Sequence, residues 1–169
     1  IDNAMDLAMN ILPSKSSKII SKALIDAQTK AFENGLTTID DAGLDKRTIM
    51  IIDSLQKKGD LKIRVYAMIS NTSDNLNYFL DKGIIKQEKL TVRSVKAYLD
   101  GALGSRGALL KKPYSDDDKN KGITITTKEE LFELAEKLSS KGFQLNTHAI
   151  GDKANEIVLD VYNYILKDI

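Results

Sequence analysis

Apolar positions along the chain switch between a helical period and a strand-like period. Over residues 15–34, Ile19, Ala23, Leu24, Ala27 and Ala31 fall on one helical face, with Ser16 or Ser17 placed to cap the start and Gly35 to stop the end. The short β-branched run Leu36-Thr37-Thr38-Ile39 follows and ends in Asp40-Asp41-Ala42-Gly43. A second helix fits 46–58, closed by Gly59. From Leu61 to Ile69, Ile63, Val65 and Ala67 alternate with Lys62, Arg64 and Tyr66, which predicts a strand. Residues 74–82 predict a short helix and Val92–Leu99 a third strand. A glycine-punctuated loop runs from Asp100 to about Ile125. Thr126 or Thr127, with Glu129 and Glu130 at capping-box spacing, then opens a helix whose face carries Leu131, Leu134, Ala135 and Leu138. Gly142 ends it. Phe143–Thr147 predicts a fourth strand, and a last helix carries Ala154, Val158, Val161 and Ile165.

Strands alternating with helices predict parallel βαβ units with right-handed crossovers. The first three strand centres lie roughly 27 to 30 residues apart, the length of one such unit. Four consecutive βα units are half of an eight-stranded barrel or a small open doubly wound sheet, and periodicity does not separate the two. At 169 residues the chain is read as one α/β domain spanning 1–169.

Composition narrows the partners. The 25 basic and 24 acidic residues are mixed along the chain, without the one-sided basic stripe that nucleic acid requires. The lysines between Lys111 and Lys121 are offset by Asp116, Asp117 and Asp118, as in a solvated loop. No run of 18 apolar residues predicts a membrane span. There is no cysteine, hence no disulfide, thiolate site or cysteine nucleophile, and the compartment is left open. The chain begins at Ile1 without methionine or a signal-like segment, which suggests processing or excision from something longer.

In parallel α/β folds, chemistry gathers at the carboxyl ends of strands. Those ends carry Asp40 and Asp41, then Ser70 and Asn71, then Lys96 with Asp100, then His148 with Asp152. Asp152 also suits the N-cap of the last helix. A lysine within a strand usually points to solvent, but Lys96 sits among Val95, Ala97, Tyr98 and Leu99, where a central parallel strand is covered on both faces. His148 is the only histidine, and one histidine does not hold a zinc ion by itself. The loop from Asp100 to Ala108 has three glycines in seven residues and offers Arg106 to an anion, yet it fits neither the Walker A nor the dinucleotide pattern.

Taken in order, Val95-Lys96-Ala97-Tyr98-Leu99-Asp100-Gly101-Ala102-Leu103-Gly104-Ser105-Arg106, Pro113-Tyr114-Ser115-Asp116, Gly122 and Thr147-His148-Ala149-Ile150-Gly151-Asp152 resemble the signature run of the YtcJ-like amidohydrolases, amidohydrolase family 3. Gly35–Gly43 resembles that family's second-strand segment. The resemblance implies a partial (β/α)8 barrel, about four βα units corresponding to strands two to five. It implies a divalent metal centre, zinc with one or two ions, in which Lys96, carboxylated on its amine, and His148 are ligands. Asp100, Gly101, Ser105 and Arg106 would contact a small amide-type substrate.

The family's remaining ligands, a His-x-His pair and two later residues, have no counterpart here. The expectation is therefore an internal fragment without a complete catalytic set, inactive and without bound metal on its own. Unpaired strand edges in such a fragment predict edge-to-edge association as a dimer. The competing reading is a complete small α/β domain that binds an anion at the 100–108 loop without catalysis. A serine-hydrolase set of Ser105, His148 and Asp152 lacks the Gly-x-Ser-x-Gly elbow.

Overall fold

The computed structural model describes residues 12–167. The chain divides into two compact units, one formed by Pro13–Lys96 with Gly142–Gln144, the other beginning at Ala97 and running to Lys141, then from Leu145 onward.

The first unit opens with α1 (Ser17–Glu33), whose N-cap Ser16 accepts the Ile19 N–H at 3.3 Å. Strand β1 (Thr38–Leu44) leads to α2 (Lys46–Lys58). Asp45 caps α2 by accepting the Thr48 N–H at 2.6 Å, and Gly59 closes it in the left-handed region at φ 82°. Then come β2 (Arg64–Ser70), α3 (Ser73–Lys82) capped by Thr72, the two-residue β3 (Ile85–Lys86), and β4 (Leu90–Tyr98). The sheet order is β1-β2-β4-β3, with β1, β2 and β4 parallel and β3 antiparallel to β4.

Two features depart from the sequence pattern. Strand β1 runs on through Asp40, Asp41 and Ala42, because β2 lies alongside in register, with Asp40 opposite Tyr66 and Ala42 opposite Met68. Backbone pairing to a neighbour overrides the turn tendency of an aspartate pair. Strand β3 escaped the pattern altogether, being too short to show a period.

The core of this unit is Ile49, Ile52 and Leu55 of α2, Val65, Ala67 and Ile69 of β2, Phe79, and Leu90, Val92 and Val95 of β4. Gln28 of α1 is also buried. Its Oε1 accepts the backbone N–H groups of Lys62 and Ile63, and its Nε2 donates to the Asp60 carbonyl at 3.3 Å. One amide thereby satisfies the backbone leading into β2, which would otherwise be buried without partners.

The second unit holds the end of β4, a 3-10 turn at Leu103–Ser105, α4 (Lys128–Ser139), most of β5 (Gln144–His148) and α5 (Asp152–Leu166). β5 pairs with β4. Thr127 and Glu130 form the full capping box of α4, each side chain bonded to the other's backbone N–H. Leu131, Leu134, Ala135 and Leu138 of α4 and Ala154, Val158 and Val161 of α5 are buried, and the rings of Phe132 and Tyr164 meet edge-on at 4.9 Å.

The N-cap position of α5 is Gly151, not Asp152. Asp152 begins the helix and turns its carboxylate to the Lys111 N–H at 2.9 Å. Gly151 has no side chain to cap with, so the free N–H groups of the first turn find an acceptor from outside the helix: the Leu109 carbonyl receives those of Lys153 and Ala154 at 3.2 and 3.3 Å.

Candidate functional site

In the first unit, the sheet has a buried face and a more open one, and the register assigns each side chain. Val65 pairs with Leu90 and Ile69 with Val95, so these share the buried face. Between Tyr66 and Met68 the register slips: Tyr66 faces Thr91, yet Met68 faces Ser94. One residue of β2, Ala67, thus opposes Val92 and Arg93 of β4. This extra residue reverses the alternation of β4, since side chains alternate with a period of two. Lys96 consequently shares the open face with Ser70, its register partner, and is half-buried there. Burial pushes the Lys96 amine below the ordinary lysine range.

Asp40 is exposed on the open face in register with Tyr66. Asp41 falls in register with Ala67, is half-buried, and is pushed above the usual carboxylate range by that burial. Gly43 lies beside Ser70, whose Oγ would be 3.4 Å from a Cβ there. Asn71 donates its backbone N–H to the Lys96 carbonyl at 3.2 Å.

In the second unit, Asp100 is the organising residue. It is fully buried. Its Oδ2 accepts the N–H groups of Leu109 and Gly151, each at 2.8 Å, and its Oδ1 accepts that of Ile150 at 3.0 Å. The same Oδ1 lies 3.9 Å from His148 Nε2. His148 ends β5, its carbonyl accepting the Leu99 N–H at 2.9 Å, and the Tyr98 ring stands 5.4 Å from the imidazole at a 43° tilt.

The glycines set this packing. A Cβ on Gly151 would fall on the Leu109 peptide and one on Gly122 on the Ala108 carbonyl. Gly101, expected at the substrate, is buried, and its N–H bonds the Gly107 carbonyl at 3.0 Å, doubling the loop back on itself.

The structure therefore brings Asp100 and His148 together and turns Asp100, read from the sequence as a substrate contact, toward backbone amides. Ser105 and Arg106 are exposed on the loop. Ser105 Oγ donates to the Ala102 carbonyl at 3.1 Å. Arg106 adopts φ 55°, rare for a residue with a side chain, and its fork grips Asp116 at 2.7 and 3.3 Å. An anion at Arg106 must compete with that carboxylate. Sequence reasoning missed Leu109 and Tyr98 as parts of the site. A main-chain carbonyl leaves no trace in residue type, whereas Tyr98 was visible as the alternate neighbour of Lys96.

Among the described residues no group of three or more histidine, cysteine, aspartate or glutamate side chains is placed to hold a metal ion. A lysine or histidine by itself falls short of the donor set a metal ion needs. No helix among the described residues is long and apolar enough to cross a membrane.

The α/β fold alone does not fix a function, and comparison with known proteins supplies the family. Residues 1–168 match the model of the amidohydrolase family, and the chain belongs to that family. It is 31% identical over 177 residues to Protein LONG AFTER FAR-RED 3 of Arabidopsis thaliana, covering 98% of this chain and 30% of that one. It is 30% identical over 164 residues to YtcJ of Bacillus subtilis (strain 168), covering 94% and 31%. Among solved structures, an uncharacterized metal-dependent hydrolase from Pyrococcus furiosus superposes with a TM-score of 0.85 at 27% identity, over 97% of this chain and 36% of that one. The expected fold class, α/β with about four βα units of a (β/α)8 barrel, is the one found. The chain spans about a third of the length of the relatives it matches.

Proposed function

We propose that this chain supplies the lysine and histidine part of a divalent-metal centre, zinc being the ion expected, in a hydrolase that cleaves an amide or related C–N bond of a small molecule. The observation that carries the reading is the Lys96 amine, placed on the open face by the register slip and driven toward its neutral form by burial. Only a neutral amine can attack carbon dioxide. The new N–C bond and the loss of one proton turn a would-be cation into an anionic carbamate that suits metal ions. His148 offers a second donor from the end of β5. The chemistry a bound divalent metal supplies in such hydrolases is a water of lowered pKa and a polarised carbonyl. With two donors the described residues fall short of the three protein ligands of a catalytic zinc, so we expect the 169-residue chain alone to be inactive.

The test uses the longest natural chain that carries this sequence, as wild type, Lys96→Ala and His148→Ala. Metal content by elemental analysis and hydrolysis across an amide panel should fall in both variants. Wild-type metal and activity in both would end the assignment.

A further inference from the structure

We propose that Asp100 is a positioning residue for His148, its buried carboxylate reserving one acceptor direction for the His148 Nε2–H while the others lock the backbone that follows. This rests on the metal-centre reading above for its functional meaning, though not for its geometry. A carboxylate offers about four acceptor directions. Three are taken by the N–H groups of Leu109, Ile150 and Gly151. Asp100 has no exposed surface, so bulk water does not take the fourth. His148 Nε2 lies 3.9 Å from Oδ1.

That separation exceeds a hydrogen bond by about 1 Å, a gap that a small ring displacement closes. The backbone on both sides of the gap is fixed. Oδ1 is held by Ile150, two residues beyond His148, and the His148 carbonyl is held by the Leu99 N–H, adjacent to Asp100 in sequence. The Tyr98 ring centroid stands 5.4 Å from that of the imidazole, tilted by 43°. The carboxylate thus selects the Nε2–H tautomer and leaves Nδ1 as the acceptor nitrogen of the ring. A ligating histidine commonly donates its second nitrogen in this way, and losing the partner weakens metal binding by about 10- to 100-fold.

Two arms test this. The chain has one histidine, so 15N-histidine labelling gives a single imidazole to observe. The wild type should show an Nε2–H proton protected from exchange with water, and Asp100→Asn, checked for retained folding by its amide spectrum, should lose that protection. An Nδ1–H tautomer, or an unprotected ring in the folded wild type, would overturn the proposal.

The second arm measures Zn(II) affinity in the longest natural chain, for wild type, Asp100→Asn and His148→Ala, and decides independently of the first. Asp100→Asn should bind about 10- to 100-fold more weakly, and His148→Ala more weakly still. If His148→Ala binds as wild type, the metal reading fails. If His148→Ala loses zinc while Asp100→Asn keeps wild-type affinity, the positioning role fails and the metal reading stands.

Discussion

Replacing Gly151 by alanine isolates the packing that holds the His148 loop. The backbone of Gly151, φ −65° and ψ 149°, is open to alanine, so no dihedral strain is involved. The obstacle is space: the new Cβ falls on the Leu109 peptide, 2.6 Å from its nitrogen and nearer still to its carbonyl. One of the two backbones must move away. Either motion breaks the pair of 2.8 Å bonds through which Asp100 joins Leu109 to Gly151, and strains the Leu109 carbonyl's contact with the first turn of α5. Two lost bonds cost about 1 kcal/mol each, and leaving a buried carboxylate short of donors adds about 1 to 3 kcal/mol. The expected loss is therefore about 3 to 5 kcal/mol.

Urea unfolding followed by circular dichroism reads it directly. With a slope of about 2 kcal/mol per molar, the midpoint should fall by about 1.5 to 2.5 M. Gly104→Ala is the control, since nothing lies within 4 Å of its Cβ, and it should stay within about 0.5 kcal/mol of wild type. A Gly151→Ala protein within about 1 kcal/mol of wild type would refute the reasoning, because it would mean the loop yields without disturbing Asp100.

Thr127→Ala removes the capping box of α4 and should cost about 1 kcal/mol in the same assay, and no loss would show that the box adds nothing to α4. Gln28→Leu keeps the bulk but leaves the Lys62 and Ile63 N–H groups without their acceptor; a loss of about 2 kcal/mol should lower Tm by about 4 to 8 °C, and an unchanged Tm would contradict the role given to this amide. Glu156 is held at about 2, below the ordinary carboxylate range, first by its hydrogen bond from Lys111 and then by that from Lys153. Its stabilising contribution is present above the unfolded value of about 4.3 and is lost as pH falls through about 2. Wild type should lose more stability than Glu156→Gln across that window, and the difference should shrink in high salt, as the pair is exposed. Identical acid profiles would remove the effect.

Features decided by near neighbours in sequence were legible. Ser16, Gly59, and Thr127 with Glu130 mark helix ends because a cap bonds within a few residues of itself. Features decided by a distant partner were not. The Asp40-Asp41 pair reads as a turn and is strand only because β2 runs beside it. Asp100 reads as a ligand-facing carboxylate, being polar, at a strand end and before glycines, yet its donors come from Leu109, Ile150 and Gly151, up to 51 residues away. Lys96 and His148 were legible as candidates, since an ionisable side chain in an apolar strand needs a reason wherever it points. Their surroundings were not.

The direction in which Lys96 points shows how much hangs on a detail that side-chain pattern alone leaves open. Leu90 and Val92 are buried, and strict alternation carries Ser94 and Lys96 onto the same buried face. A lysine there would place an ammonium group among Val65, Ala67 and Ile69, at a cost that the fold would have to avoid. The slip between Tyr66 and Met68 inserts one residue and exchanges the faces, leaving Ser94 and Val95 buried in succession. The two adjacent buried residues are the trace of the bulge, and the lysine that follows them emerges on the open face. There Lys96 is half-buried, and that burial lowers the amine's proton affinity. The bulge in β4 therefore decides which face of the sheet Lys96 takes.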